Sequence, residues 1–386
     1  MRQQYEPSAD RIIALYQQLE DDILSAVIRR ILKMGYVSEA SKHQLEVLQA
    51  AGLLYDDIVQ LIADRTDACT AQVKALFEDA GVQTVAIDNS LHEAAGALPI
   101  DIRQDSSTRQ VLEAGYKKTL GTMRNLVSTT ATQTQTAFIQ TCDRIYMQVS
   151  SGAFSYQEAI MNALRALADT GATVSYPTGH TDRMDVAVRL CVLTGVSQTA
   201  AAVSLQQAED VGCYLMEITA HSGARHDHTK WQGQLVSLTG KDVGKTIDGL
   251  KVWSLSGIGY GSGEGFKGWN CRHNWHAYYP GFSTPNYTPE ELKKLDEPCI
   301  SYNGKLYTEY EVSQMQRAQE RRVRAWKRRC ITAQEGVNSA TDEATRATAQ
   351  AEFDRSARYL KTNEAKLKDF CRQTGQDRDR FREQVL

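Results

Sequence analysis

The sequence predicts an α+β fold class with a mainly α-helical N-terminal domain, a small Gly/His/Cys-rich α+β module and a helical C-terminal tail. Three observations predict this: helical apolar spacing early in the chain, short apolar runs beside clustered glycines in the middle, and alternating charges near the end. We divide the chain into an N-terminal helical region (1–105), a domain of long helices (106–210), the module (211–308) and a charged helical tail (309–386).

The first helix is predicted from a single apolar stripe, whose residues recur every three or four positions. Gly35 follows the stripe, at the place where a left-handed C-cap ends many helices. Glu20, Asp21 and Asp22 fall on or beside the polar face, and we expect water around them. The stripe consists of Ile12, Leu15, Tyr16, Leu19, Ile23, Val27 and Ile31.

Further helices are predicted over residues 39–51, 55–63 and 67–80, with Gly52 and Gly81 as stop signals. The short joints between these helices favour a packed helical domain. A longer helical region follows, and its threonine-rich middle favours a break or a bend because threonine has low helix propensity.

Strands are predicted over residues 214–219, 234–238 and 251–255, where short apolar runs alternate in part with polar residues. Asn303 and Gly304 lie between two further short runs and predict a two-residue hairpin. Beyond this hairpin the sequence predicts helix to near its end, with a long exposed helix or helix pair in the Ala-rich, charge-alternating part.

Composition excludes several classes of protein. The net charge is −3 over 386 residues, so the chain as a whole has no strong attraction to nucleic acid or to a membrane surface. No apolar run approaches the roughly 20 residues that span a bilayer, so we expect no membrane-spanning segment. Eight cysteines stand singly, which is typical of reduced thiols in a protein made in a cytosol.

Residues 221–276 are the chemically dense part of the chain, since they hold five of the eight histidines and four of the five tryptophans. Six glycines within 257–268 exclude a stable helix or central strand, so we expect a loop that approaches the module or a partner subunit closely. We expect segments 225–233 and 269–273 to meet in one core. The predicted core residues are Arg225, Trp231, Gln232, Gly233, Trp269, Asn270 and Arg272.

Four side chains of the module are candidate metal ligands, namely His221, His228, Cys271 and His273. Cys271 and His273 stand one residue apart and can present two ligands from one tight turn, while His228 approaches from the earlier segment. Three imidazoles and one thiolate suit zinc, although the spacing is not that of a standard zinc finger. The alternative is a set of hydrogen-bonded histidines packed against the module's tryptophans without a metal.

Catalysis is the alternative from a different class. The run His226-Asp227-His228, together with Cys271 and His273, can imitate a Cys/His nucleophile pair or the centre of a metal-dependent hydrolase or nuclease. Asp227 and Glu264 are the only acids in the two motif segments, which is few for a nuclease. A buried, inert cysteine is also the commoner state. We therefore expect a binding and assembly module rather than an enzyme.

A basic stretch follows the module. Residues 305–329 carry eight Lys or Arg against three Glu, which leaves a net charge of +5. Four arginines share one face of the predicted helix, and such a face can follow the phosphates of double-stranded DNA. A solvated face or a subunit-docking face is the alternative. These arginines are Arg317, Arg321, Arg324 and Arg328.

Several motifs together resemble the phage minor capsid protein 2 family, and more loosely the Mu F-like minor head proteins. They are Asp182 to Arg189, Thr194 to Val196, Ala220 to Arg225, His228, Trp231 to Gly233, Gly259 to Gly261, Gly268 to His273, Tyr279 to Gly281 and Pro285. The resemblance extends over roughly residues 8–330, and His226 stands where it leads us to expect proline.

The resemblance implies a structural minor capsid protein of a tailed phage, present in few copies. It further implies docking at the portal vertex and a part in head assembly, DNA packaging or genome delivery by DNA ejection. The implied partners are the portal protein and other head proteins, with double-stranded DNA nearby. The implied location is the virion, in the portal region of the capsid, after synthesis in the cytoplasm of the host bacterium.

Overall fold

The computed structural model describes residues 2–102, 104–176 and 178–383. This part of the chain is mainly helical with small sheets, so the predicted α+β class is confirmed. The helices are α1 (Arg2–Met34), α2 (Ala40–Ala94), α3 (Ser106–Ser150), α4 (Tyr156–Thr170), α5 (Met184–Asp210), α6 (Pro289–Lys294), α7 (Glu309–Ser339), α8 (Glu343–Thr374) and a 3-10 turn at Phe381–Glu383.

The described strands are short. They are β1 (Thr173–Ser175), β2 (Thr181–Arg183), β3 (Leu215–Ile218), β4 (Leu235–Ser237), β5 (Thr246–Ile247), β6 (Leu250–Ser254), β7 (Trp275–Ala277), β8 (Ile300–Tyr302) and β9 (Lys305–Tyr307). One sheet has five strands in the order β5-β6-β4-β3-β7, with β4 and β6 parallel. The three strands predicted first correspond to β3, β4 and β6. The β8–β9 hairpin turns at Asn303 and Gly304, both with positive φ, as predicted.

One compact unit, which we name the module unit, consists of Met1–Ala9, Thr70–Thr122 and Arg189–Met315. It contains the five-stranded sheet. Its helical segments approach one another closely at a glycine. A Cβ added at Gly115 would lie 2.1 Å from the hydroxyl oxygen of Thr199. The glycine therefore allows a helix contact that a larger residue would block.

The second compact unit, which we name the helical unit, consists of Asp10–Cys69, Met123–Val188 and Gln316–Leu386. Six of the seven residues of the predicted apolar stripe of α1 lie in its core, since Ile12, Tyr16, Leu19, Ile23, Val27 and Ile31 are all at most 1% exposed; Leu15 is half-buried. Gly35 follows α1 with a φ of 66°, which fits the predicted cap. The division of the chain into four domains stays a prediction.

The predicted stops at Gly52 and Gly81 are wrong, because α2 is one continuous helix through both. A glycine inside a helix costs only about 1 kcal/mol relative to alanine, which is too little to end a helix with well-packed flanks. At Gly81 the missing side chain makes room, since an added Cβ would lie 2.6 Å from the Cδ1 of Leu112.

The predicted break in the threonine-rich region is also absent, since α3 continues through it. Threonine hydroxyls there donate to carbonyl oxygens of the preceding turn: Thr129 to Leu126 at 2.8 Å and Thr136 to Thr132 at 2.9 Å. These bonds satisfy the hydroxyls without interrupting the helix.

The acidic residues of α1 do not all lie in water. Glu20 and Asp21 are 2% and 7% exposed. The Glu20 carboxyl accepts a hydrogen bond from the backbone N–H of Ala172 at 3.2 Å. Burial, and after it repulsion from Asp185, raises the pKa of Glu20 to about 8. Burial, and after it repulsion from Glu20, Asp22 and Asp185, raises the pKa of Asp21 to about 8. The expectation of a solvated acidic face fails because the face packs against other elements of the helical unit.

Helix α5 is long and apolar enough to cross a membrane by length and composition alone. Sequence inspection missed it because its apolar residues are spread among small and polar ones. In the structure, 56% of its most apolar window is buried. A core helix of a protein that does not enter a membrane can have the same length, composition and burial, so this helix is weak evidence for a membrane span.

Candidate functional site

The five-stranded sheet brings the two motif segments of the module together. All four residues of β3 are buried, and β3 runs antiparallel to β7 with Ile218 opposite Trp275. The chain that leaves β3 and the chain that enters β7 therefore lie at the same end of the sheet. Thr219 and Asn274 continue this pairing, with a 2.8 Å bond from the Thr219 N–H to the Asn274 carbonyl.

The segment after β3 folds into consecutive turns and returns to the sheet at Gly233. Gly233 has a φ of 66°, and its N–H donates to the Ile218 carbonyl at 2.9 Å. Trp231 is buried, and its ring centroid lies 4.7 Å from that of His273 in the second segment. The two segments therefore meet in one core, as the sequence predicts.

The glycine-rich loop approaches itself closely, within the module. A Cβ added at Gly265 would lie 2.1 Å from the Gly259 carbonyl oxygen. At Gly263 it would lie 2.8 Å from the ring of Trp269. The Phe266 N–H also donates to the Ile258 carbonyl at 2.9 Å. The loop needs its glycines because backbone and ring atoms occupy the space of side chains.

Three of the four predicted ligands form a compact cluster. One ligand atom from each of His228, Cys271 and His273 lies within 4.8 Å of the others, and all three residues are buried. The Cys271 Sγ lies 3.6 Å from the His273 Nδ1. Among the described residues this is the group whose donors and spacing suit a metal ion.

His221, the fourth predicted ligand, lies beside this cluster. Its ring centroid is 4.4 Å from that of His273. Its Nδ1 donates to the Ser222 carbonyl at 2.8 Å, while its Nε2 is buried without a hydrogen-bond partner. A buried imidazole nitrogen without a partner is costly, so it marks a position where a ligand would be favourable.

Burial keeps the imidazoles of this cluster neutral. Together with repulsion from His221, His228 and Lys267, it lowers the pKa of His273 to about 2. Burial also lowers the pKa values of His221 and His228. Neutral imidazole is the form that binds metals.

Not every predicted core residue is in the core. Gln232 is buried and accepts hydrogen bonds inside the cluster. Arg225 is half-buried and donates to the Glu264 carbonyl, whereas Arg272 is half-buried at the surface of the module. Trp269 is 54% exposed and Asn270 is exposed with a φ of 56°, so their assignment to the core is wrong. The ring of Trp269 covers the glycine loop from outside instead.

Sequence reasoning missed Glu217, which is fully buried in β3. Its carboxylate accepts two hydrogen bonds from Asn286, from the backbone N–H at 2.9 Å and from Nδ2 at 2.8 Å. The His276 Nε2 lies 3.4 Å from the same carboxylate. A glutamate inside an otherwise apolar strand was the available signal, because such a charge needs buried partners.

The four arginines predicted to follow DNA lie on α7 in different surroundings. Arg328 is 1% exposed, and Arg324 forms a 3.0 Å ion pair with the buried Asp185. Arg317 is half-buried, and Arg321 is exposed together with its neighbour Arg322. Much of this face therefore stabilises the helical unit.

Comparison with known proteins identifies the class. The chain is similar to a "structural protein" of Lactococcus phage LL-H, with 24% identity over 83% of this chain and 86% of the relative. It is also similar to a "structural protein" of Lactococcus phage mv4, with 36% identity over 22% of this chain and 59% of that relative. No solved structure matches the chain. The class is thus a structural protein of a phage.

The family follows from a longer match. The sequence model described as phage minor capsid protein 2 matches residues 2–372, which is nearly the whole chain. The chain therefore belongs to the phage minor capsid protein 2 family, and the resemblance seen in its motifs is confirmed.

Proposed function

We propose that this minor capsid protein docks on the portal protein at the portal vertex of a tailed phage, where it assists head assembly, DNA packaging or ejection. Membership of the family supports a place in the virion among other head proteins. We infer synthesis in the cytoplasm of the host bacterium from the single cysteines. Docking on the portal needs a surface, and the helical unit offers one.

An exposed apolar face on α2 carries this proposal. Leu45, Leu48 and Val59 are 58%, 61% and 43% exposed. Leu45 and Leu48 are three residues apart, and Val59 follows Leu48 by about three helical turns, so all three lie on one side. The opposite side of the helix, with Val47 and Leu54, is buried. Aliphatic side chains grouped on a rigid helix are typical of protein–protein contact surfaces.

The module supports an assembly function more than a catalytic one. Its candidate nucleophile, Cys271, is 3% exposed, and His228 and His273 are 3% and 1% exposed. A catalytic group must reach its substrate, whereas a buried cluster serves to hold two chain segments together. We infer that the module gives the protein a rigid part, and that the exposed face of α2 makes the contact.

Co-sedimentation with the portal protein of the same phage tests the proposal. We expect the wild-type chain to sediment with portal oligomers at micromolar concentration. The double variant Leu45→Glu/Leu48→Glu loses binding at least tenfold, because two charges would be buried at the contact. Leu306→Glu is the matched control, since Leu306 is 62% exposed in the module unit, and it keeps wild-type binding. Absence of sedimentation by the wild-type chain would overturn the proposal.

Contact with double-stranded DNA is a second proposal, which rests on α7. Arg321 and Arg322 are its exposed arginines near the predicted basic face. Arg324 pairs with Asp185, and Arg328 is buried in the helical unit. We infer that DNA near the portal meets only the exposed pair, which predicts weak, salt-dependent and sequence-independent binding.

A further inference from the structure

We propose that His221, His228, Cys271 and His273 bind one zinc ion in a closed, tetrahedral site that joins the two segments of the module. This inference is independent of portal docking, since it concerns the interior of the module. The distances between the donors of this cluster, their hydrogen bonds and their burial fit zinc.

The distances suit zinc. Tetrahedral zinc with bonds of about 2.1 Å to nitrogen and 2.3 Å to sulfur separates these two atoms by about 3.6 Å. The Cys271 Sγ and the His273 Nδ1 are 3.6 Å apart. The donor atoms of the three-residue group lie within 4.8 Å of one another, so small side-chain rotations bring the third donor to bonding distance.

The hydrogen bonds of the imidazoles leave the correct nitrogens for a metal. The Gln232 Oε1 accepts from the backbone N–H of His221 at 3.3 Å, and a backbone N–H can only donate. The His273 Nε2, 3.2 Å from the same oxygen, must therefore carry a proton. Its Nδ1, which faces Cys271, then carries the lone pair. Side-chain oxygens commonly fix metal-binding histidines in this way.

The other two histidines follow the same pattern. The His228 Nε2 lies 2.8 Å from the Glu264 carbonyl and 2.9 Å from the Arg225 Nη2, which donates to the same carbonyl. When Nε2 also donates to this carbonyl, the lone pair of His228 lies on Nδ1. The His221 Nδ1 donates to the Ser222 carbonyl, which leaves the lone pair on the buried Nε2 without a partner. Each imidazole thus has one nitrogen held by an oxygen and the other ready to bind. The bonds of His221 and His273 go to oxygens that only accept, so they admit only this tautomer, which favours a built site over chance packing.

The burial of the cluster favours a structural site. A catalytic zinc keeps an open position for water, whereas a structural zinc has four protein ligands. With His221 as the fourth ligand, the site is closed. On binding, the Cys271 thiol loses its proton to solvent as the sulfur–zinc bond forms, and the imidazoles keep theirs on the nitrogens that face oxygen.

Metal analysis of the full chain tests this proposal. The protein is purified without chelators or a histidine tag, and zinc is measured by mass spectrometry. We expect one zinc per chain. The zinc is then exchanged for cobalt, and we expect the visible bands of a tetrahedral site and a thiolate-to-cobalt charge-transfer band. Less than one zinc in ten chains, together with no cobalt bands after added Co²⁺, would overturn the proposal, as would stoichiometric iron or copper.

Matched variants assign the ligands. Cys271→Ser abolishes the charge-transfer band, whereas Cys299→Ser, at an exposed thiol, keeps it. His221→Gln weakens zinc affinity at least tenfold and keeps the charge-transfer band, whereas His226→Gln, at an exposed histidine, leaves affinity unchanged. If Cys271→Ser does not fold, the cobalt spectrum of the wild-type protein still decides. A charge-transfer band retained in Cys271→Ser, or unchanged zinc affinity in His221→Gln, would contradict this ligand set.

Discussion

The buried acids of α1 predict that the protein loses stability as pH rises through the neutral range. Glu20 has its pKa raised from 4.5 to about 8 by burial and by Asp185, while Arg183, the Ala172 N–H and Arg324 lower it in part. A carboxyl with a raised pKa binds its proton more tightly in the folded state. Its contribution to stability is therefore complete below the unfolded pKa and is lost as pH rises to the folded pKa.

The variant Glu20→Gln isolates this effect. Glutamine keeps the volume and the oxygen that accepts from Ala172, but it cannot ionise. One proton bound only in the folded state changes the free energy of unfolding by about 1.4 kcal/mol per pH unit. Between pH 5 and pH 7 the free energy of unfolding of the wild type should therefore fall by roughly 2 to 3 kcal/mol more than that of Glu20→Gln. Asp21, with its pKa also near 8, leaves a residual pH dependence in the variant.

Urea denaturation followed by far-ultraviolet circular dichroism measures this difference, because the helical unit gives much of the signal. Wild type, Glu20→Gln and the control Glu343→Gln are compared at pH 5, 6 and 7. The Glu343 side chain is 84% exposed, so its variant should follow the wild type. An equal fall in the free energy of unfolding from pH 5 to pH 7 in wild type and Glu20→Gln would refute the reasoning. It would show that Glu20 has the same pKa in the folded and unfolded states.

Three further predictions concern glycines and arginines. Gly265→Ala places a Cβ against the Gly259 carbonyl oxygen, so we expect a loss of about 1 to 3 kcal/mol in urea denaturation; wild-type stability would contradict the close approach. Gly52→Ala, in an open stretch of α2, should stabilise by about 0.5 to 1 kcal/mol; a destabilised variant would argue against a continuous helix there. Arg321→Glu/Arg322→Glu should weaken double-stranded DNA binding and make the slope of log affinity against log salt concentration shallower by about two. An unchanged slope would exclude both residues from the contact.

Periodicity predicted much of the fold because it follows directly from burial. The stripe of α1, the strands β3, β4 and β6 and the β8–β9 hairpin each depend on local residue patterns, and local patterns survive in the folded chain. Gly52 and Gly81 were misinterpreted because the cost of glycine in a helix is small, and packing against neighbours outweighs it. That packing is not encoded in the sequence near either glycine.

In the candidate site, too, local residue patterns predicted part of the arrangement and tertiary packing decided the rest. Residue type and clustering indicated His221, His228, Cys271 and His273, and the sheet places them together. The oxygen of Gln232 that orients two of these residues, and the exposure of Trp269, depend on how distant segments meet. Glu20 and Asp21 were expected in water because one helix shows only its own polar face. Which elements cover that face is a property of the tertiary fold.

The module closes over a long stretch of chain, because Gln232 and His273, which are hydrogen-bonded, stand 41 residues apart. Joining such distant positions costs chain entropy before any contact repays it. During synthesis the first segment must therefore leave the ribosome and wait, with Trp231 uncovered, until the second segment emerges. A chain interrupted in that interval presents an unfinished, apolar sheet end, which exposes the newly made protein to aggregation and to chaperones.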